Sequence, residues 1–287
     1  MEFVTLRNGV QMPKLGFGVF QIPREICQAC VLDAIEAGYR HIDTAQSYFN
    51  EQEVGQAVRQ CGVPREELFI TTKVWVDFYG EDKARQSVYA SMKRLQVDYL
   101  DLVLLHQPFS DYYGAYRALE QLYEQGVIRA IGVSNFPPDR LADIAAFQSI
   151  APHVNQVETN PFHQQTAAQQ NMVRRGVQME AWAPFGEGKR DMFRQPVLQD
   201  IAAQHGKSTA QVILRWLMQR DIVAVAKSTH VERMKENLDI FDFQLTDAQM
   251  QQIAQLDTGT SLFFDHQTPE TVDQFVEMIA QRRADFT

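Results

Sequence analysis

The sequence is poor in cysteine and has no excess of positive charge. It contains 3 cysteines, and Cys27 and Cys30 form a C-x-x-C pair within residues 25–36, a stretch with the apolar spacing of a helix. No second cysteine pair and no nearby histidine accompanies them, so we interpret both as small residues on a helix face instead of a redox or metal site. The formal net charge is −9 and the basic residues are scattered, which argues against binding to nucleic acid.

Long apolar runs and flexible linkers are missing as well. No window approaches the ~20 consecutive apolar residues that a membrane helix needs, so we expect no membrane association. The first residues have neither the basic nor the apolar part of a secretory signal, which predicts a cytoplasmic protein. Because no stretch is rich in proline, serine or glycine, we interpret residues 1–287 as one domain, and we expect this domain to be monomeric.

Short segments with strand character alternate with longer segments of helical periodicity. The predicted strands are residues 14–19, 41–43, 68–73, 100–106, 130–134, 154–158, 178–182 and 222–226. They recur mostly at intervals of about 25 to 30 residues, the length of one βα unit. Eight such units close into a (β/α)₈ or TIM barrel, so the sequence predicts an α/β fold of this type.

The two ends of the chain depart from this repeat. Asn8-Gly9 lies between two apolar-alternating runs and predicts a β-hairpin, because both residues accept positive φ; we expect the hairpin to plug the bottom of the barrel. Thr246 is a suitable N-cap for a helix that begins at Asp247. Residues 258–287 continue beyond the last repeat, and we expect this extension to cross the barrel mouth.

Polar residues end three neighbouring strands, at the rim where barrel enzymes place their active sites. Asp43, Lys73 and His106 each follow a mainly apolar run. A buried aspartate or lysine is unfavourable unless it is paired, so we expect Asp43 and Lys73 to form an ion pair. For any one of these residues alone, a structural role is the more common explanation. Their coincidence on one rim favours a catalytic site.

Tyr48 follows Asp43 by five residues and is placed to reach back over the same rim. A phenol has an ordinary pKa near ~10, which is too high for an efficient acid at neutral pH. The ammonium group of Lys73 would favour the phenolate and lower this pKa. The sequence therefore predicts that Tyr48 is a general acid that donates its proton to an alkoxide.

The remaining strand ends carry amides, a hydroxyl and an indole. Ser134, Asn135 and Gln156 offer hydrogen bonds suited to a carboxamide, and the face of Trp182 is suited to stacking on a planar ring. A nicotinamide presents both features. Each of these residues alone is equally compatible with loop capping or core packing.

The motifs around these residues make the chain similar to the aldo-keto reductases over nearly its whole length. Trp182 stands where a tyrosine is more familiar, and in this respect the chain resembles the bacterial diketogluconate-reductase and prostaglandin-F-synthase-like branches. The matching motifs include Gly38-Tyr39-Arg40-His41-Ile42-Asp43-Thr44-Ala45, Thr72-Lys73-Val74-Trp75, Leu104-Leu105-His106, Gly132-Val133-Ser134-Asn135-Phe136, Asn155-Gln156-Val157-Glu158 and Lys227-Ser228.

This resemblance implies an oxidoreductase that reduces aldehydes and ketones with NADPH. Tyr48 would protonate the developing alkoxide, Lys73 would lower the tyrosine pKa while paired to Asp43, and His106 would orient the carbonyl oxygen. Lys227, Ser228 and Arg233 would surround the 2′-phosphate, with Glu236 and Asn237 at the adenine. The full set of expected NADPH/NADP+ contacts is Gly18, Asp43, Ser134, Asn135, Gln156, Trp182, Lys227, Ser228, Arg233, Glu236 and Asn237.

Aromatic residues near the predicted strand ends indicate an apolar substrate pocket. The expected substrate contacts are Phe20, Phe49, Trp75, His106 and Phe109, and we expect Leu262-Phe263-Phe264 of the C-terminal extension to close over them. An apolar wall discriminates weakly between carbonyl compounds, so we expect a broad preference for reactive small-molecule aldehydes and α-dicarbonyls.

Two other classes of function are compatible with parts of this pattern. A regulatory barrel could bind the dinucleotide and use slow chemistry as a signal. A metal-dependent barrel hydrolase is disfavoured, because no His-x-His ends the first strand and the rim has too few histidines and carboxylates for a ligand cluster. We therefore expect no metal.

Overall fold

The computed structural model describes the backbone of residues 2–285 and the side chains of residues 2–281. The last residues of the predicted C-terminal extension, 286–287, lie outside this described part of the chain. Among residues 2–285, none of the helices combines the length and the apolar composition that spanning a bilayer requires.

The bounds of the strands and helices follow, in chain order. The strands are β1 (Phe3–Thr5), β2 (Gln11–Pro13), β3 (Leu15–Gly18), β4 (His41–Asp43), β5 (Phe69–Val74), β6 (Leu100–Leu105), β7 (Ile128–Ser134), β8 (Val154–Glu158), β9 (Gln178–Trp182) and β10 (Val223–Ala226). The α-helices are α1 (Arg24–Ala37), α2 (Glu51–Gln60), α3 (Glu81–Leu95), α4 (Tyr112–Glu124), α5 (Pro138–Phe147), α6 (Thr166–Arg174), α7 (Pro196–His205), α8 (Thr209–Gln219), α9 (Val231–Leu238), α10 (Asp247–Ala254) and α11 (Pro269–Asp285).

The strands β3 to β10 form a closed barrel in which every neighbouring pair is parallel. Each barrel strand pairs with the next strand in the chain, and β10 closes the barrel by pairing with β3. The prediction of a (β/α)₈ barrel is confirmed, and the ends of the predicted strands differ from the observed ones by at most two residues. The carboxyl ends of all eight strands therefore meet at one mouth.

The N-terminal hairpin is formed by β1 and β2, as predicted, and its apolar side chains pack into the bottom of the barrel. Its turn differs from the expected one. Gly9 has φ of 85° and its amide donates to the carbonyl of Leu6, whereas Asn8 does not have positive φ. The turn therefore needs a single left-handed residue, the arrangement of a longer hairpin loop with a glycine bulge. Asn8 instead donates from Nδ2 to the Arg129 carbonyl at 2.9 Å, which ties the hairpin to the barrel.

The C-terminal extension lies over the barrel mouth, as predicted. Thr246 caps α10, since its hydroxyl accepts from the Gln249 amide and the Gln249 side chain accepts from the Thr246 amide. Beyond this helix, the Leu262 amide donates to the buried carboxylate of Glu158 at 3.0 Å. Phe275 of α11 is buried. The extension is thus attached to the barrel through both a polar contact and an apolar one.

Candidate active site

Asp43, Lys73 and Tyr48 are in contact at the floor of the barrel mouth. Lys73 is completely buried, and its Nζ donates to Asp43 Oδ1 at 2.6 Å and to Asp43 Oδ2 at 2.8 Å. The same nitrogen lies 3.0 Å from the Thr44 carbonyl oxygen and 3.3 Å from Tyr48 Oη. The predicted ion pair is present, and it places a cation beside the phenol.

The segment that carries Tyr48 is held by buried hydrogen bonds. Tyr48 ends a 3₁₀ turn, Gln46–Tyr48, that follows β4 closely. The Gln46 side chain accepts from the Trp75 amide at 2.8 Å and donates to the Ser87 carbonyl of α3 at 3.2 Å. Asn50 donates from Nδ2 to the Val19 carbonyl at 2.9 Å. These bonds connect the turn to three neighbouring segments, so the phenol is positioned by the barrel and not by a free loop.

The pKa of Tyr48 differs in direction from the sequence-based expectation. Burial raises the pKa of Tyr48, and although Lys73 lowers it, the net pKa lies above its ordinary value. For Lys73, burial lowers the pKa, but Asp43 and Tyr48 raise it, and the net pKa is also above its ordinary value. Both groups are therefore protonated at neutral pH. The expectation that Lys73 brings the phenol pKa below its ordinary value was wrong, because desolvation of the phenolate outweighs the cation.

His106 lies beside Tyr48 at the end of β6. The two ring centroids are 5.6 Å apart in an edge-to-face arrangement, and Trp75 also packs edge-to-face with the imidazole. Ser47 Oγ is 3.3 Å from His106 Nδ1. Sequence reasoning missed Ser47, since a serine in a polar turn carries no signal of its own. Its contact restrains the orientation of the imidazole.

A cavity of about 730 Å³ opens above these residues. It brings together most of the side chains that the sequence singled out. Those that line it are Gly18, Phe20, Asp43, Tyr48, Trp75, His106, Ser134, Asn135, Gln156, Trp182, Lys227 and Arg233. Lys73 lies directly beneath it, in contact with Tyr48.

Other predicted residues do not line this cavity. Phe49 is exposed, and Phe109 packs against α11, with its ring centroid 5.3 Å from that of Phe275. Ser228 is buried and exchanges hydrogen bonds with the backbone of His230. The expectation that Phe49 and Phe109 face the substrate is therefore not supported by where these rings lie. The two predicted adenine contacts lie on α9, also outside the cavity lining: Glu236 and Asn237.

The upper wall of the cavity is aromatic and comes mainly from long connections. Phe263 and Phe264 approach from the C-terminal extension, and the Phe263 ring centroid is 5.1 Å from that of Trp182. The sequence indicated only these two rings of the wall. It did not indicate the others, because a local periodicity does not show where long loops lie. The side chains that complete this wall are Phe185, Phe193, Phe275 and Met278.

Hydrogen bonds within the barrel fix the orientation of two side-chain amides, those of Asn135 and Gln156, on one side of the cavity floor. Asn135, at φ 65°, donates from Nδ2 to the His106 carbonyl, and its Oδ1 accepts from Trp182 Nε1 at 2.8 Å. Gln156 Nε2 donates to Asp43 Oδ2 and to Glu180 Oε2, each at 3.0 Å. Both protons of this nitrogen are used inside the barrel. Only the carbonyl oxygen of Gln156 remains for a group in the cavity.

The far end of the cavity carries exposed positive charge. Lys227 follows β10, and Arg233 lies in the first turn of α9. Both side chains are exposed and both line the cavity. Two cations near a helix N-terminus form a site suited to a phosphate group. The cavity thus combines a phenol, an oriented amide, an indole and a basic end.

No cluster of histidine, cysteine, aspartate and glutamate side chains suitable for a metal ion occurs among the described residues. The polar groups at the floor are instead joined in an ion pair and hydrogen bonds. A closed barrel with polar groups at the mouth where the strands end is typical of a barrel enzyme.

Comparison with known proteins identifies the family. A sequence model of the Aldo/keto reductase family matches residues 14–258. The chain is 41% identical over 290 residues to a morphine 6-dehydrogenase of Pseudomonas putida, covering 96% of this chain and 98% of that protein. It is 45% identical over 254 residues to a glyoxal reductase of Bacillus subtilis, covering 88% and 91% of the two chains. The chain belongs to the aldo/keto reductase family and is an oxidoreductase.

A solved structure supports the same assignment. The aldo-keto reductase of Bombyx mori in complex with NADP has a TM-score of 0.88 to this chain at 32% identity, covering 92% of this chain and 95% of that one. The structural similarity therefore covers a larger share of this chain than the family model does.

His41 provides a prediction for the pH dependence of stability. It is completely buried in β4, and burial lowers the pKa of His41 from 6.5 to about 4. The unfolded chain thus binds this proton more readily, so stability is lost as pH falls from about 6.5 towards 4, by roughly one kcal/mol per pH unit from this site alone. His41→Gln should reduce the loss of unfolding free energy between these pH values. Urea denaturation at several pH values measures the unfolding free energy of the wild type and of the variant. The same pH dependence in both proteins would contradict the lowered pKa of His41.

Proposed function

We propose that this protein is an NADPH-dependent carbonyl reductase in which Tyr48 donates the proton to the carbonyl oxygen. The observation that carries the proposal is the contact of 3.3 Å between Tyr48 Oη and Lys73 Nζ at the floor of the cavity. His106 lines the same floor and supplies a second polar group beside the phenol. A carbonyl oxygen in contact with both groups would be oriented for reduction.

The protonation states of these groups agree with reduction. Burial raises the pKa of Tyr48, so the phenol keeps its proton until a stronger base forms beside it. An alkoxide is such a base, because alcohols are weaker acids than phenols. Lys73 stabilises the phenolate that remains after proton transfer, and Asp43 holds the ammonium group in place through two hydrogen bonds.

The residues present fit a nicotinamide dinucleotide, which would supply the hydride. Gln156 offers a carbonyl oxygen, and Ser134 and Asn135 add polar groups beside it, so together they suit a carboxamide. The indole of Trp182 offers an apolar face at the same end of the cavity. The Bombyx mori relative was crystallised with NADP, which supports this choice.

The other end of the cavity suits the adenosine part of the same cofactor. Lys227 and Arg233, with Ser228 between them in sequence, suit a 2′-phosphate. Glu236 and Asn237 follow Arg233 on α9, where we propose that they contact the adenine. The cavity would then hold the dinucleotide in an extended form, with the nicotinamide above the barrel floor.

The direct test is NADPH consumption by the purified protein with a panel of aldehydes, α-dicarbonyls, quinones and keto-sugars. We expect multiple turnovers with at least one aldehyde and formation of the matching alcohol. A regulatory barrel would instead bind NADPH and oxidise it at most once per protein molecule on the same time scale. That outcome would favour a regulatory barrel over the proposed reductase.

The composition of the cavity wall leads to a prediction about substrates. Phe20, Trp75 and Phe275 line the cavity around the two polar points Tyr48 and His106. Such a wall makes few hydrogen bonds, and an added methylene in an apolar pocket changes binding by only ~1 to 3 kcal/mol. We therefore expect a higher kcat/KM for nitrobenzaldehyde and methylglyoxal than for an aldose, measured under one condition. The relative named glyoxal reductase supports an α-dicarbonyl as a substrate. An aldose that outperforms both other compounds would show that polar loop contacts decide specificity.

We also propose that residues 1–287 act as one domain that functions as a monomer, with the C-terminal extension as part of the active site. Phe264, Phe275 and Met278 all line the same cavity as Tyr48. The proposed catalytic unit therefore includes α11, which lies beyond the segment matched by the family.

A further inference from the structure

Glu180 is a buried carboxyl group beneath the cavity to which the proposed mechanism assigns no role. It lies on β9, two residues before Trp182, and is completely buried. Gln156 is its direct partner in the register between β8 and β9. Sequence reasoning overlooked it, although an acidic residue inside a barrel strand is the same signal that singled out Asp43 and Lys73.

Glu180 is joined to the candidate site by a continuous chain of hydrogen bonds. Its Oε2 accepts from Gln156 Nε2 at 3.0 Å, and the same nitrogen donates to Asp43 Oδ2 at 3.0 Å. Asp43 in turn accepts from Lys73, which contacts Tyr48. The carboxyl groups of Asp43 and Glu180 thus accept the two hydrogen bonds that the Gln156 amide nitrogen can donate. The consequence is that Gln156 presents its carbonyl oxygen, and not its nitrogen, to the cavity.

The ionisable groups that face Glu180 come from several elements. His41 and Asp43 belong to β4, Lys73 to β5, and Tyr48 to the turn after β4. From the other side, β10 presents only an apolar register partner, Val223. Glu180 Oε1 lies 3.7 Å from His41 Nε2. This interior contains two carboxyl groups, one buried ammonium and one histidine, so while His41 is uncharged the interior is neutral only when one carboxyl group is protonated.

Glu180 is the group that holds this proton. Burial, and to a smaller extent Asp43, raise the pKa of Glu180 from 4.5 to about 8, because the opposing effects of Gln156 and Lys73 are weaker. His41 is not an alternative, since burial lowers its pKa to about 4. At neutral pH Glu180 and His41 are therefore both uncharged.

We propose that Glu180 is a positioning residue of the reductase site: through Gln156 it orients the amide that faces the cavity, and by losing its proton it adds a negative charge beside Lys73 and Tyr48. This inference rests on the proposed function, in which Tyr48 is the acid. Ionised Glu180 raises the pKa of both Tyr48 and Lys73. A less acidic phenol donates its proton less readily, so reduction slows as Glu180 ionises.

Glu180→Gln tests the effect of the charge, because a glutamine at this position still offers an oxygen to Gln156 Nε2 but cannot ionise. In the wild-type protein we expect kcat for aldehyde reduction to fall several-fold as pH rises through about 8, because ionised Glu180 makes the Tyr48 phenol less acidic. In Glu180→Gln this fall should be absent or should begin at higher pH.

Glu180→Leu tests the effect on the amide. It removes the acceptor for one Gln156 proton, so the amide loses its unique orientation and NADPH should bind several-fold more weakly than to Glu180→Gln. A merely structural role would lower the melting temperature of both variants without moving the pH profile of Glu180→Gln. That result, or an unchanged pH profile in a folded Glu180→Gln protein, would overturn the proposal.

A titration without cofactor or substrate separates this inference from the proposed function. Glutamate labelled with carbon-13 at the side-chain carboxyl is followed by NMR, and the Glu180 signal is assigned by its loss in Glu180→Gln. We expect this signal to titrate near pH 8. Titration in the ordinary acidic range would overturn the inference even if the protein reduces aldehydes. If the protein reduces none, the proposed function fails while the titration still decides the state of Glu180.

Discussion

Replacing Tyr48 with phenylalanine should lower kcat for aldehyde reduction by about 100- to 10,000-fold, the usual contribution of a positioned general acid. The variant loses only the hydroxyl that lies 3.3 Å from Lys73 Nζ. The ring still packs against Phe20 and His106, so the shape of the cavity is retained. NADPH affinity should remain within about twofold of the wild type, because the proton is delivered only in the transition state.

Tyr116→Phe is a matched control for this change. Tyr116 is completely buried, but it lies on α4 and does not line the cavity, and its hydroxyl has no hydrogen-bond partner among the described residues. Steady-state kinetics and NADPH titration on both variants separate a catalytic effect from the loss of a buried hydroxyl. Near wild-type turnover of Tyr48→Phe would contradict the assignment of Tyr48 as proton donor.

Replacing both Lys227 and Arg233 with alanine should abolish most of the preference for NADPH over NADH. The two cofactors differ only in the 2′-phosphate, and hydrogen bonds to charged groups contribute about 1.5 to 3 kcal/mol each. The ratio of kcat/KM for NADPH to that for NADH should therefore fall by about 100-fold or more when both cations are removed. The value for NADH should change little, since NADH lacks the group that they bind.

Lys235→Ala provides the control for the loss of positive charge. Lys235 lies on α9 like Arg233 and is exposed, but it does not line the cavity. Its removal should leave the cofactor ratio within about twofold, because an exposed charge outside the site is screened by salt. If the double variant kept the wild-type ratio, the 2′-phosphate would have to bind elsewhere.

The barrel and the floor of the site were predictable because they depend on short-range patterns. Apolar strands that recur at the interval of a βα unit indicate the fold, and a polar residue at the end of a strand indicates the rim. Asp43, Lys73 and His106 were found in this way. The distance of five residues from Asp43 to Tyr48 is short enough for the 3₁₀ turn to bring the phenol back to the lysine.

Features that depend on the balance of long-range interactions could not be predicted in the same way. The net pKa of Tyr48 is raised because desolvation outweighs the nearby cation, and this balance requires knowledge of the completed barrel. Phe49 adopts φ of 59° after the turn, which an apolar residue rarely does, and its ring is exposed. The aromatic wall depends on how the C-terminal extension folds across the mouth. Residues such as Phe275 and Met278 therefore gained their place in the cavity only from the tertiary structure.

Transfer of deuterium from labelled NADPH to an aldehyde is the most direct test of carbonyl reduction by this protein. NADPH carrying deuterium in place of both hydrogens at the hydride-donating carbon of the nicotinamide is mixed with the purified protein and nitrobenzaldehyde, and the product is analysed by mass spectrometry and NMR. We expect an alcohol with deuterium on the former carbonyl carbon, formed by the wild-type protein and at a strongly reduced rate by Tyr48→Phe. An alcohol without deuterium at that carbon, or the same rate from both proteins, would contradict a mechanism in which NADPH gives the hydride and Tyr48 the proton.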